Sequence, residues 1–294
     1  MLRSIFTHPS GTQAGGTPAF ITGQESPFKD RWGGWYVTGL RGVHEHMGNG
    51  VLAKGSPPED FDRVSHANVP ALNGLLDASA YLTGSSDIVA HLVLAHQTQM
   101  HNLITQTNYQ TRLILYSEET RNRTSGTKTE TLSEAALSRI EKVAESLVRY
   151  LLFTNEASID GIVDVRKSAF AADFVARGPR DAAGRSIRDF DLKKRIFKYP
   201  CSYLIYSEAF DAIPEPAKGY IYRRLFEVLS GREQSPEFSS LSSEDRKAIL
   251  EILVATKPGV PEEWKQFVSQ PREGSNDRDD LGPATRQFST HKGN

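Results

Sequence analysis

The chain is poor in sulfur: 294 residues contain one cysteine, Cys201, and three methionines. A single cysteine excludes an internal disulfide, a cysteine-rich zinc site and the two thioethers of a Cys-x-x-Cys-His haem attachment. Long apolar runs are also missing, so nothing reaches the ~20 residues that cross a bilayer. The opening MLRSIFTHPSGTQAGG has a basic residue but no apolar stretch of the kind a signal peptide needs. Read literally, it predicts a cytoplasmic protein without a membrane span. Neither sign of charge is in excess, since 35 Lys and Arg face 36 Asp and Glu for a formal net charge of -1. That removes any general electrostatic argument for nucleic acid or an anionic membrane. A G-x-S-x-G elbow, a Walker loop, a G-x-G-x-x-G turn and a Ser-His-Asp order are absent as well, and an enzyme is not supported.

What is present is enough chain to bury a substantial core. The first 82 residues are rich in Gly, Pro, Ser and Thr and predict a loop-dominated segment packed on a helical part. Within it only WYVTG, Trp35 to Gly39, looks like a strand. From Ser85 the pattern changes to apolar residues at three- and four-residue spacing, without Pro or Gly, predicting one long helix to about Arg121. A second helix should open at Thr131-Leu-Ser-Glu134, a capping-box pattern, and run to about Thr154. Two such helices joined by a short linker should pack antiparallel. Shorter helices are expected at 168–176, 217–230, 242–255 and 261–269. Residues 271–294 are polar and predict a disordered tail. The fold class is therefore mostly α: residues 83–270 form a helical domain with a long antiparallel pair, preceded by a Gly/Trp-rich loop region.

Both internal methionines lie beside a histidine, in HEHMGN (His46, Met47) and in HQTQMH (His96, Met100, His101). On a helix His96 and Met100 share a face, while His91 and His101 point elsewhere. Imidazole and thioether are both natural ligands for a metal or haem iron. Residues one turn apart lie on the same side of a haem plane, so at most one could be axial, and the His46–Met47 pair is the evident source of the other. The structural alternative is that Met100 fills the core and His96 is a hydrogen-bonded core histidine. Trp32, Trp35 and Tyr36 sit in a glycine-dense stretch that would let backbone approach a flat object between rigid aromatic walls. The alternative is a loop pinned by two Trp anchors. Between Arg177 and Lys198 eight basic residues face Asp181, Asp189 and Asp191. An Arg fork there, Arg185 for example, suits a carboxylate or phosphate, unless the run is a solvated surface of Arg–Asp pairs. Cys201 is expected to be buried, and Glu156 with Asp160 to be exposed beyond the second helix, although carboxylates could also hold a metal.

The words SPFKDRWGGWYVTG, HEHMGN, HQTQMHNLI and YPCSYLIYSEAF together resemble a family of c-type-cytochrome-related proteins from planctomycetes, acidobacteria and similar bacteria, over nearly the whole chain to about residue 256. The resemblance implies an exported, periplasmic electron-transfer protein carrying haem c and meeting a redox partner protein. It also implies a Cys-x-x-Cys-His motif upstream of the region corresponding to Met1, which this sequence does not contain. His46, Met47, His96, Met100 and His101 would then line the haem crevice, with Trp32 and Trp35 as walls, Arg185 toward the propionates, and Met47, His96 or Met100 on the metal. A haem-free binding or scaffolding domain with structural His and Met is the rival reading, and a histidine-ligated metalloenzyme the third.

Overall fold

The computed structural model describes residues 2–41, 45–126, 131–159, 162–163 and 168–270. The expected tail at 271–294, Asp160, and His44 of the HEHMGN word lie outside the described residues. The fold is mostly α, with seven α-helices among the described residues and little strand.

The long helix α1 spans Ile88–Ser125. It starts where Asp87, in extended conformation, accepts a hydrogen bond from Val89 N at 2.8 Å and so satisfies one of the free amides of the first turn. It ends at Gly126, whose φ of 70° is the left-handed stop that glycine adopts without a Cβ clash. Helix α2 spans Glu134–Leu151 and buries Ala136, Ile140, Ala144, Leu147, Val148 and Leu151, an unbroken three-four stripe. Its cap is Ser133, whose hydroxyl accepts from Ala136 N; the Thr131–Glu134 capping box does not form. Glu118, near the end of α1, accepts the Ser133 amide at 3.2 Å, while His96, near the start of α1, stacks on Tyr150 at the end of α2 with centroids 5.4 Å apart. Contacts at both ends establish the antiparallel pairing.

Helix α2 stops three residues before the expected Thr154. Phe153 and Asn155 adopt φ of 56° and 58°, turning the chain out of the helix. The later helices fall where expected: α3 (Ala169–Ala176), α5 (Glu215–Leu229), α6 (Ser243–Thr256) and α7 (Glu262–Ser269). A short α4 (Glu208–Asp211) was not foreseen. At α6 a capping box is present, with Ser242 and Asp245 exchanging side-chain and backbone bonds.

WYVTG is not a strand. Only Thr38 bridges, to Asp87, because Trp32 at φ 66° and the two glycines after it fold the stretch into a turn. The strands are β1 (Arg3–Ile5) with β2 (Ala19–Ile21), and β3 (Leu40–Arg41) with β4 (Ile162–Val163), each pair antiparallel. Gly33 is required in that turn, since a Cβ there would stand 2.1 Å from the Ile5 carbonyl oxygen. The N-terminal segment has a small core of its own, Phe6, Ala14, Met47, Leu52 and Phe61. It reaches the helices through Phe28, Trp32 and Val37, which belong to the main core.

Candidate functional site

His96 is fully buried. Its ring is stacked between Tyr150 and Phe153, with centroids at 5.4 and 4.4 Å. Nδ1 lies 2.6 Å from Gln24 Oε1 and Nε2 lies 2.7 Å from Ser202 Oγ. Since Gln24 uses its Nε2 to donate to Tyr150 O, its Oε1 is the acceptor. Nδ1–H therefore donates to Gln24, and the Nε2 lone pair accepts the Ser202 hydroxyl proton. The order hydroxyl, imidazole, amide follows the logic of a nucleophile, a base and its orienting group. Yet Gln24, His96 and Ser202 are each wholly shielded from solvent, and the Ser202 hydroxyl also accepts Leu204 N at 3.3 Å. Burial holds the imidazole pKa down at about 3, so the ring is neutral and fastens N-terminal loop, α1 and the 200–206 turn together.

His46 plays the same part on a smaller scale. Gly48 N donates to its Nδ1 at 3.0 Å, so Nε2–H donates to Ala67 O at 2.9 Å. Met47, fully buried, belongs to the small N-terminal core, and its sulfur receives the Ser4 hydroxyl at 3.7 Å. Met100 is equally buried but belongs to the main core. The structure thus separates the two sulfur-imidazole pairs that the sequence invites one to join. His101 points to solvent. Trp35 is 39% exposed and donates to Arg3 O, which makes it a loop anchor at the surface. The Arg185 fork is occupied, by Asp181 at 2.7 Å and Glu251 at 2.8 Å. As they stand these residues do not fit a haem: the nitrogens are bonded, the sulfurs sit in different clusters and the arginine is paired. Among the described residues no three His, Cys, Asp or Glu side chains converge as a metal site.

Two groups near this spine are less settled. Arg31 is buried, donates from Nε to Ser26 O at 2.8 Å and from Nη2 to Gln24 O at 3.0 Å, and leaves Nη1 without an acceptor. Desolvation pulls its pKa down to about 10 against the opposing pull of the Glu156 charge. Beside it Trp32 Nε1 is also buried without an acceptor. Buried donors of this kind call for an acceptor such as water or a ligand oxygen. Glu156 is half-buried, not exposed as expected; desolvation raises its carboxyl to about 7 although Ile196 N donates to it at 2.8 Å. Cys201 is buried, and its thiol is pushed well above the ordinary range by desolvation, which makes it inert.

Two open clefts flank the left-handed turn after α2. One, of about 750 Å³, is lined by Glu25, Gln99, Asn102, Gln106 and Tyr150. The other, of about 720 Å³, is lined by Glu156, Lys194, Arg195 and Lys198. Asn155 and Glu237 border both. Gln24 and Ser202 leave no signal in the sequence, because their partner His96 lies 72 and 106 positions away. No family model, no curated protein and no solved structure matches the chain.

Proposed function

We propose that this chain is a haem-free binding or scaffolding module in which His46, His96, Met47 and Met100 are structural. One observation carries this reading: every nitrogen of the two buried imidazoles is already bonded inside the protein. A ligand role would have to break those bonds, leaving buried polar groups unpaired at about 1–3 kcal/mol each. The clefts beside Asn155 are then its binding surfaces. Titration of the purified chain with haemin tests it. The expected result is no stoichiometric Soret band, with His96→Ala and Met100→Ala lowering stability only. A saturable Soret band lost in either variant would overturn it.

A second reading, a cytochrome-c-like electron-transfer protein of the periplasm with haem c and a redox partner, is favoured by the orphaned donors of Arg31 and Trp32. They lie in the RWGGW word on which the resemblance rests, and Met47 N donates to Arg31 O at 2.9 Å. A carboxylate-bearing group there would satisfy them. Haem, when bound, would supply one-electron chemistry, and Met47 is the methionine whose backbone bonds Arg31. The protein produced with the genomic sequence preceding Met1 and with haem-attachment machinery tests this. A haem spectrum altered by Met47→Ala supports it, and a spectrum indifferent to that change removes Met47 from it.

A further inference from the structure

The cleft of about 720 Å³ between the turn after α2 and the 191–198 loop is built from charges that do not all have partners. All four of its carboxylates hold hydrogen bonds, two of them with arginines. Asp245 receives both terminal nitrogens of Arg195, at 2.9 and 2.6 Å. Asp191 accepts the amides of Lys194 and Arg195 at 3.0 and 3.2 Å. Glu237 pairs with Arg149 at 2.9 Å. The fourth, Glu156, accepts the Ile196 amide.

Against these stand Lys194 and Lys198, which line the cleft and have no carboxylate partner among the described residues. The hydroxyls of Ser239 and Ser240, which also line it, make no bond among the described residues either. The backbone adds an independent sign. Of the five non-glycine residues with left-handed φ among the described residues, Phe153 and Asn155 line this cleft and Leu192 sits in the loop that carries Lys194. Phe and Leu held left-handed cost about 1–2 kcal/mol each, asparagine less, and such outliers gather at ligand sites. Two ammonium groups and two hydroxyls lining one cleft match a doubly charged ligand with several acceptor oxygens better than a single carboxylate.

We propose that this cleft binds a tetrahedral oxyanion, either inorganic phosphate or a phosphomonoester, through Lys194, Lys198, Ser239 and Ser240. The proposal rests on the first reading above, which takes this cleft as a binding surface, and the haemin titration tests that reading separately.

Calorimetric titration of the full chain with inorganic phosphate, and separately with glycerol 3-phosphate, tests it. Saturable one-to-one binding of at least one of them is expected, weakened tenfold or more in the Lys194→Gln, Lys198→Gln double variant. Lys193→Gln removes the same sign of charge from an exposed lysine outside the cleft and should leave binding within twofold. Binding of phosphate alone identifies the free ion, and preference for the ester identifies a phosphomonoester. Failure of both to saturate by about 10 mM overturns the site. So does equal weakening by Lys193→Gln, which would reduce the effect to general surface charge. Since all three lysines are exposed, the variants are expected to keep the wild-type circular dichroism.

Discussion

The N-terminal segment and the helical body each bury one imidazole, yet they hold it for different reasons. In the segment, where the apolar core is only Phe6, Ala14, Met47, Leu52 and Phe61, His46 joins two loops that are close in sequence, bonding Gly48 and Ala67. In the body, which has a large continuous apolar core, His96 joins elements that are far apart, Gln24 on one side and Ser202 on the other. Where apolar burial is scarce the histidine replaces it with local hydrogen bonds. Where burial is plentiful it supplies register instead, fixing how loop, helix pair and turn meet.

The largest effect should therefore come from His96→Ala. It removes a stacked ring, leaves the Gln24 oxygen and Ser202 hydroxyl unpaired, and should destabilise the protein by about 3–5 kcal/mol. His46→Ala should cost about 2–3 kcal/mol and act locally. Urea unfolding compares the totals, and amide exchange shows where protection is lost. In His46→Ala the loss should be confined to residues 46–67, with α1 and α2 still protected. Equal losses throughout both regions would abolish the distinction.

Acid probes the same residue without mutation. The folded His96 pKa lies at about 3 against an ordinary 6.5, so the unfolded chain takes up the proton first. Stability is then fully present above pH 6.5 and is lost as pH falls toward 3, by an amount on the order of 4 kcal/mol. The His96 ring resonances should stay those of a neutral imidazole down to about pH 4 while stability drops. A protonated ring in a still-folded protein at pH 5 would contradict the buried network.

Much of the scaffold is legible in the sequence for a physical reason. The stripe Ala136, Ile140, Ala144, Leu147, Val148, Leu151 repeats with the helical period, and caps such as Asp87, Ser168 and Ser242 immediately precede their helices. These are local signals. The second cap lies two residues beyond Thr131, because Thr131 and Ser133 both suit the role and tertiary contact with Glu118 selects Ser133. WYVTG failed as a strand because Gly33 must pass beneath Ile5, a contact its own residues do not reveal. The site was the least legible part. That His96 is buried and bonded was among the readings the helix face allowed. Its partners Gln24 and Ser202 were not to be found, since ordinary polar residues at such separations leave no pattern. Pairing Met47 with Met100 rested on chemical likeness, and likeness of side chains carries no information about distance.

Glu156 extends the comparison to the surface between the regions. Desolvation raises its carboxyl from 4.5 to about 7. A raised acid pKa means that the folded state keeps its proton where the unfolded state has lost it. Its contribution is present below pH 4.5 and is lost as pH rises to 7, by up to about 3 kcal/mol. Glu156→Gln should gain relative to wild type across that interval, so the two urea midpoints should diverge between pH 5 and pH 8. Parallel curves would show the carboxyl to be ordinary in the folded protein.

The smallest effect separates the two methionines. Leucine nearly conserves methionine's volume, so Met100→Leu, in the main apolar core, should cost less than about 1.5 kcal/mol. Met47→Leu also keeps the volume but removes the sulfur that accepts the Ser4 hydroxyl. Ser4 Oγ still accepts Gly33 N at 2.8 Å, so only its donor is left unpaired, a further cost of about 1 kcal/mol. Ser4→Ala should abolish the difference, because with no hydroxyl to satisfy, sulfur and carbon at position 47 become equivalent. A double-mutant cycle on urea unfolding measures that coupling directly. A coupling near zero would mean that the thioether serves Met47 only as bulk, and would free its sulfur for a ligand outside this chain's own packing.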